Sequence, residues 1–131
     1  KNVLSELVKK ANITDSINFI GRLPQKQVLE YYTKVDCVIV NSYFETYSMV
    51  TAEAILSGVP VIATRCKGPE QFINERNGLL IEINNIEQLE NAMNSIQAKD
   101  FISNSIANSL TTNLSIELVR NKLLKIYQNN I

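Results

Sequence analysis

Residues 44–64, FETYSMVTAEAILSGVPVIAT, decide the fold of this chain. From Met49 to Ser57 the stretch is small and apolar. Ser48 stands where a hydroxyl caps a helix start, and Gly58 stands where a left-handed residue ends one. Immediately afterwards PVIAT (60–64) is a run of consecutive apolar residues, the signature of a strand covered on both faces. A second such run, DCVIVNS (36–42), precedes the helix. Strand, helix and strand joined by short connections make a parallel unit. Within it sits an anomaly. Glu53 lies between two alanines in a buried helix, where a carboxylate is costly unless something pairs with it.

Outward from this unit the pattern repeats. Residues 3–11 place Val3, Leu4, Leu7, Val8 and Ala11 on one helical face. INFIG (17–21) is read as a short strand. LPQKQVLEYYTK (23–34) is read as a helix starting near Pro24, with Val28, Leu29, Tyr31 and Tyr32 facing inward. Downstream, a short helix starts at Pro69, Asn77-Gly78 marks a turn, and LLIEI (79–83) is a further strand. A helix over 86–97 runs through Ile86, Leu89, Met93 and Ile96. Residues 98–115 are Ser- and Asn-rich, with a weak helical pattern and an expected turn near Thr111–Asn113. Ile116, Val119, Leu123, Ile126 and Tyr127 form a last apolar stripe, which packs either on this domain's own sheet or on a neighbouring one. The expected fold is a Rossmann-like, three-layer α/β/α parallel sheet. Its divisions are a ligand-binding unit over 1–97 and C-terminal helices of the same domain over 98–131. No opening strand precedes the first helix and no initiator Met is present, so the chain reads as a piece of something longer.

Composition narrows the chemistry. At 131 residues the chain has one domain's length, with 13 basic and 13 acidic side chains that cancel. That balance argues against nucleic acid as a partner. No apolar run approaches the roughly 18 residues of a membrane span. Cys37 and Cys66 make a poor disulfide framework and read as buried reduced thiols in a reducing, cytoplasmic compartment. The absence of histidine removes Ser–His and Cys–His nucleophiles and the usual zinc ligands. No metal site is expected.

Ligands of open parallel sheets bind beyond the carboxyl ends of the strands. Loop 42–48 leaves such an end and enters the helix at 49. The free amides of Met49 and Val50, with the positive end of the helix dipole, suit a phosphate or diphosphate. Glu53 lies five residues beyond the Ser48 cap, roughly 7 Å along the axis at 1.5 Å per residue. Glu45 comes from the loop above the same helix end. An ionised carboxylate only accepts hydrogen bonds and can bond two vicinal hydroxyls. Sugar, diphosphate and ribose in sequence describe a nucleotide-sugar.

The Glu45–Glu53 segment resembles the Glu-x7-Glu region of the retaining GT-B glycosyltransferases, the family 4 / group 1 class, and the likeness extends over about residues 1–97. The resemblance implies the C-terminal, donor-binding half of a GT-B fold. It implies that Glu45 contacts donor-sugar hydroxyls near the reacting carbon and is the catalytic-site residue, and that Glu53 holds the ribose. Thr46, Tyr47, Ser48, Met49 and Val50 would present amides to sugar and diphosphate, while Gly21, Arg22 and Leu23 would lie against the base. It further implies transfer of a hexose from a UDP- or GDP-linked donor to a polysaccharide or glycolipid, with no metal or other cofactor. The acceptor would attack on the face that the phosphate leaves. An N-terminal acceptor domain would be the partner, with membrane association only through that half, and this piece alone would be inactive. Three features depart from the family pattern. Thr46 and Ser48 stand where glycines are usual, Lys67-Gly68 replaces a glycine pair, and the diphosphate-clamping Arg and Lys lie upstream of residue 1.

Two other readings compete: a nucleotide-sugar epimerase of the same architecture, and a flavodoxin-like interaction module. The first would be expected to use histidines, and the second needs acids closing its first strands, whereas Asp36 opens one. Glu70 reads as an acid complementing a helix dipole. Arg65 and Lys67 read as surface charge, and Tyr31 and Tyr32 as packing residues.

Overall fold

The computed structural model of this chain describes residues 2–98 and 101–114. In chain order the elements are α1 (Asn2–Lys10), α2 (Gln25–Tyr32), β1 (Val38–Val40), α3 (Met49–Leu56), β2 (Val61–Thr64), β3 (Gly78–Ile81), α4 (Ile86–Ala98) and α5 (Ser103–Leu114). Single 3₁₀ turns occur at Thr14–Ser16 and Pro69–Gln71. The strands form one parallel sheet in the order β1-β2-β3, with Ile39 beside Ile62 and Ile62 beside Leu79.

β2 is the axis of the molecule because its four residues are all buried. Strand side chains alternate between faces. Val61 and Ala63 join Val40, Ile55, Ile106 and Leu110 in the core on one face. Ile62 joins Ile81, Ala92 and Ile96 on the other. Helices α3 and α5 cover the first face and α4 the second, so the expected three-layer parallel α/β architecture is present.

Helix α3 follows from its sequence. Thr51, Ala52, Ala54 and Ile55 are buried, and small side chains let the helix lie close to the sheet. Gly58 ends it at φ +79°, and a Cβ there would lie 2.9 Å from the Ser103 side chain. Both the left-handed turn and the approach of α5 therefore need glycine.

Several local expectations are overturned. Residues 17–21 form no strand. Ile17 is extended, but no neighbour among the described residues accepts its ladder, and Ile17, Phe19 and Ile20 are exposed. An extended segment becomes a strand only when another chain pairs its N–H and C=O groups. β1 is shorter than 36–41 and lies at the edge of the sheet, leaving Ile39 43% exposed instead of covered on both faces. In α2, Tyr32 is buried and Val28 partly so, while Leu29 and Tyr31 face outward. α1 forms where expected, yet Val3, Leu4 and Leu7 remain exposed. The buried stripe of α4 is Leu89, Ala92 and Ile96, with Ile86 and Met93 outside it.

The turn expected at Thr111–Asn113 is absent because α5 runs on to Leu114. Ile106 and Leu110, one turn apart, bury against α3. The hydroxyls that made the segment look irregular bond back to helix carbonyls: Ser109 Oγ to Ile106 O at 2.6 Å, Thr111 Oγ1 to Asn108 O at 3.2 Å. The stripe from Ile116 to Tyr127 lies outside the described residues.

Candidate functional site

The carboxyl ends of β1 and β2 are laced together by Thr64. Its buried hydroxyl donates to the Ser42 carbonyl and accepts the Ser42 N–H at 3.1 Å. Ser42 Oγ in turn donates to Glu45 Oε1 at 3.1 Å. The Glu45 main chain is held as well. Its N–H donates to Cys66 O at 3.3 Å, its C=O accepts from Gly68 N–H at 2.9 Å, and it makes an isolated parallel bridge with Lys67. This approach depends on glycine, since a Cβ on Gly68 would lie 2.8 Å from Glu45 O. Glu45 is therefore a half-buried carboxylate on a doubly anchored loop.

The rest of that loop is fixed by packing. The rings of Tyr47 and Phe72 meet edge to face at 4.8 Å. Ser48 adopts φ +61°, and Lys67 in the facing loop adopts φ +81°. Neither is a glycine, although the resemblance to the family leads to the expectation of glycine at both. The chain keeps the left-handed backbone with side chains that strain it, at roughly 1–2 kcal/mol each. Glu70 lies in the first turn of the 3₁₀ segment, as expected, and also accepts the Lys67 N–H at 3.0 Å, which holds that strained residue.

The expected cap of α3 takes a different form. The Ser48 hydroxyl makes no bond to a first-turn amide and pairs with Thr51 Oγ1 at 2.8 Å. The left-handed backbone turns it that way. The Ser48 carbonyl accepts the amides of Thr51 and Ala52, so those of Met49 and Val50 have no acceptor among the described residues. Met49 and Val50 are exposed. An exposed helix start with two free N–H groups is a ready anion site.

Glu53, half-buried one turn further along α3, has its partners in α2. The Gln25 side-chain amide donates to Glu53 Oε1 at 2.6 Å. The Tyr32 hydroxyl lies 3.5 Å from both Glu53 Oε2 and the Val50 carbonyl. Burial, then the Glu53 charge and its hydrogen bond, push the Tyr32 phenol above its ordinary value, which keeps it a donor. Gly21 and Arg22 are exposed and Leu23 half-buried, on the segment that enters α2 two residues before Gln25. Sequence reasoning missed Gln25, Ser42, Thr64 and the Thr51 hydroxyl. Gln25 and Thr64 act across 28 and 22 residues of sequence, and the Ser42 and Thr51 hydroxyls act within a turn whose backbone shape the sequence does not announce.

The remaining candidates have other contacts. Arg65 pairs with Glu82 at 3.2 Å on the surface, and Lys67 Nζ lies 5.8 Å above the Phe44 ring. Burial raises the Cys37 thiol, and Cys37 and Cys66 are both free. A cavity of about 980 Å³ opens at the amino ends of the strands beside Asp36, Pro60, Met93 and Phe101, and neither glutamate lines it.

The site is a parallel α/β unit with an exposed helix start, flanked in sequence by two hydrogen-bonded carboxylates. The chain belongs to the family Glycosyl transferases group 1, whose model matches residues 1–109. It is 36% identical over 88 residues to an uncharacterized glycosyltransferase of Haemophilus influenzae, covering 66% of this chain and 24% of that protein. Its fold matches the C-terminal domain of a glycosyl transferase group 1 family protein (LpcC) from Francisella tularensis. The TM-score is 0.76 at 26% identity, over 88% of this chain and 62% of that one. It also matches Anabaena Alr3699/HepE, solved in complex with UDP. There the TM-score is 0.76 at 19% identity, over 98% of this chain and 36% of that one. The chain spans less than a quarter of the length of the first curated relatives it matches. No helix among the described residues is long and apolar enough to cross a membrane.

Proposed function

We propose that this domain binds the nucleotide-sugar donor of a retaining glycosyltransferase that moves a hexose onto a polysaccharide or glycolipid in the cytoplasm. The observation that carries the reading is the exposed start of α3, whose Met49 and Val50 amides lack acceptors among the described residues while Glu45 and Glu53 stand on either side in sequence. The diphosphate sits at those amides, the ribose diol on Glu53, the hexose against Glu45, and the base along Gly21–Leu23. Thr46, Tyr47 and Ser48 line the sugar side.

In the reaction, the bond from the sugar's anomeric carbon to the diphosphate breaks and its electron pair leaves with the nucleoside diphosphate. The acceptor hydroxyl forms the new bond on the same face and its proton passes to the departing phosphate oxygen. Helix-dipole stabilisation of the growing phosphate charge is this domain's main contribution, and no metal is required. An acceptor domain elsewhere in the polypeptide completes the site, so this piece alone turns over nothing. The matching family and the UDP-bound neighbour support the donor assignment.

Glu53→Ala in the intact natural polypeptide is the test. Loss of two charge-assisted hydrogen bonds to the ribose weakens nucleotide binding by about 10- to 100-fold, with the melting temperature nearly unchanged. Unchanged affinity contradicts the ribose role.

A further inference from the structure

We infer that Gln25 is a positioning residue for nucleotide recognition, acting through Glu53. The inference rests on the ribose role proposed above and extends it to a residue in another helix. The ribose role gives a reason for the Glu53 carboxylate between two alanines of α3, and Gln25 keeps that carboxylate in one place. Their contact spans 28 residues of sequence and closes to 2.6 Å. It joins the first residue of α2 to the middle of α3.

Hydrogen-bond capacity makes the arrangement productive. A carboxylate has about four acceptor sites and Gln25 occupies one of them on Oε1. Tyr32, 5% exposed, stands at 3.5 Å from Oε2, the outer limit of a hydrogen bond, and closes off the inner side of the group. The remaining lone pairs are left for a pair of vicinal hydroxyls. Without Gln25 the glutamate side chain regains rotamer freedom that ligand binding must then remove.

Position in the chain adds a second consequence. Pro24 fixes the entry to α2 at φ −62°, and Gln25 follows it directly. The segment Gly21–Leu23 is thus tied through Gln25 to Glu53. Contacts with the base side and with the diol are linked by one hydrogen bond.

The experiment measures binding of UDP, GDP and ADP to the intact natural polypeptide by calorimetry. It continues with the tightest of the three and its 2′,3′-dideoxy counterpart, for wild type, Gln25→Ala, Gln25→Glu and Glu53→Ala. Gln25→Ala is expected to weaken the ribonucleotide about fivefold and the dideoxynucleotide less than twofold. Gln25→Glu is expected to bind worse as pH rises from 5 to 8, because the new carboxyl donates to Glu53 only while protonated. A packing role for Gln25 gives neither the diol dependence nor the pH dependence. Equal losses on both nucleotides for Gln25→Ala overturn the inference, provided Glu53→Ala still distinguishes them. If Glu53→Ala fails to distinguish them, or no nucleotide binds, the ribose reading falls and the inference with it.

Discussion

Two parts of this molecule have similar apolar content, but only one of them builds a core. From Val38 to Leu110 a buried set closes around β2, which has no exposed residue, while Ile39, Met49 and Ile86 among others stay exposed. From Val3 to Val35, Tyr32 is the one buried residue, while Val3, Leu4, Leu7, Ile13, Ile17, Phe19, Ile20, Leu29, Tyr31 and Val35 are exposed. Periodicity reports which side of an element is apolar. It does not report whether anything lies against that side.

The sharpest way to break this contrast is a pair of truncations. Ile62 is fully buried, and Ile62→Ala is expected to cost about 3 kcal/mol in denaturant unfolding. Ile20→Ala, on the exposed segment, is expected to cost under about 0.5 kcal/mol. Equal costs would show that the N-terminal part packs as firmly as the sheet. Next in size, Gly68→Ala forces a methyl against the Glu45 carbonyl and is expected to cost about 2 kcal/mol. It also displaces Glu45, so transfer activity should fall more than stability. A silent substitution would mean that the Glu45 loop is not anchored as described.

Smaller effects test the loop facing Glu45 and the junction between the two parts. Lys67→Gly relieves a left-handed residue at φ +81° and is expected to gain about 0.5–1 kcal/mol after the entropy of glycine is counted. Tyr32 is the buried link from α2 to α3, and its phenol is raised above its ordinary value of 10.0, by burial first and Glu53 second. The unfolded chain therefore loses that proton at lower pH than the folded one. Its contribution to stability is complete below about pH 10 and is lost as pH climbs toward the folded value. Tyr32→Phe should make the alkaline fall shallower. An identical fall in both proteins would place that titration elsewhere.

The same contrast explains what could be read in advance. PVIAT was legible because a strand buried on both faces has an unbroken apolar run, and Gly58 because a helix end needs a left-handed residue. INFIG was misread because its composition suits a strand while pairing depends on a neighbour. The helix after Ser103 was hidden by serines and asparagines, although Ile106 and Leu110 carried the four-residue spacing that places it on α3. At the site, Glu53 stood out because acids are rare in small apolar helices, and Glu45 through its seven-residue separation from it. Gln25 and Thr64 did not, since nothing local distinguishes them from surface or strand residues. Even the Ser48 cap was half legible: the residue is at the helix start, but its left-handed backbone sends the hydroxyl to Thr51.

The central claim is that the first amides of α3 receive a diphosphate between Glu45 and Glu53. A crystal structure of the intact natural polypeptide with its best-binding nucleoside diphosphate tests it most directly. Diphosphate oxygens about 3 Å from the Met49 and Val50 nitrogens, with the ribose hydroxyls on Glu53, are the expected result. A nucleotide bound instead in the cavity beside Asp36, Pro60 and Met93, with the start of α3 bare, would contradict it.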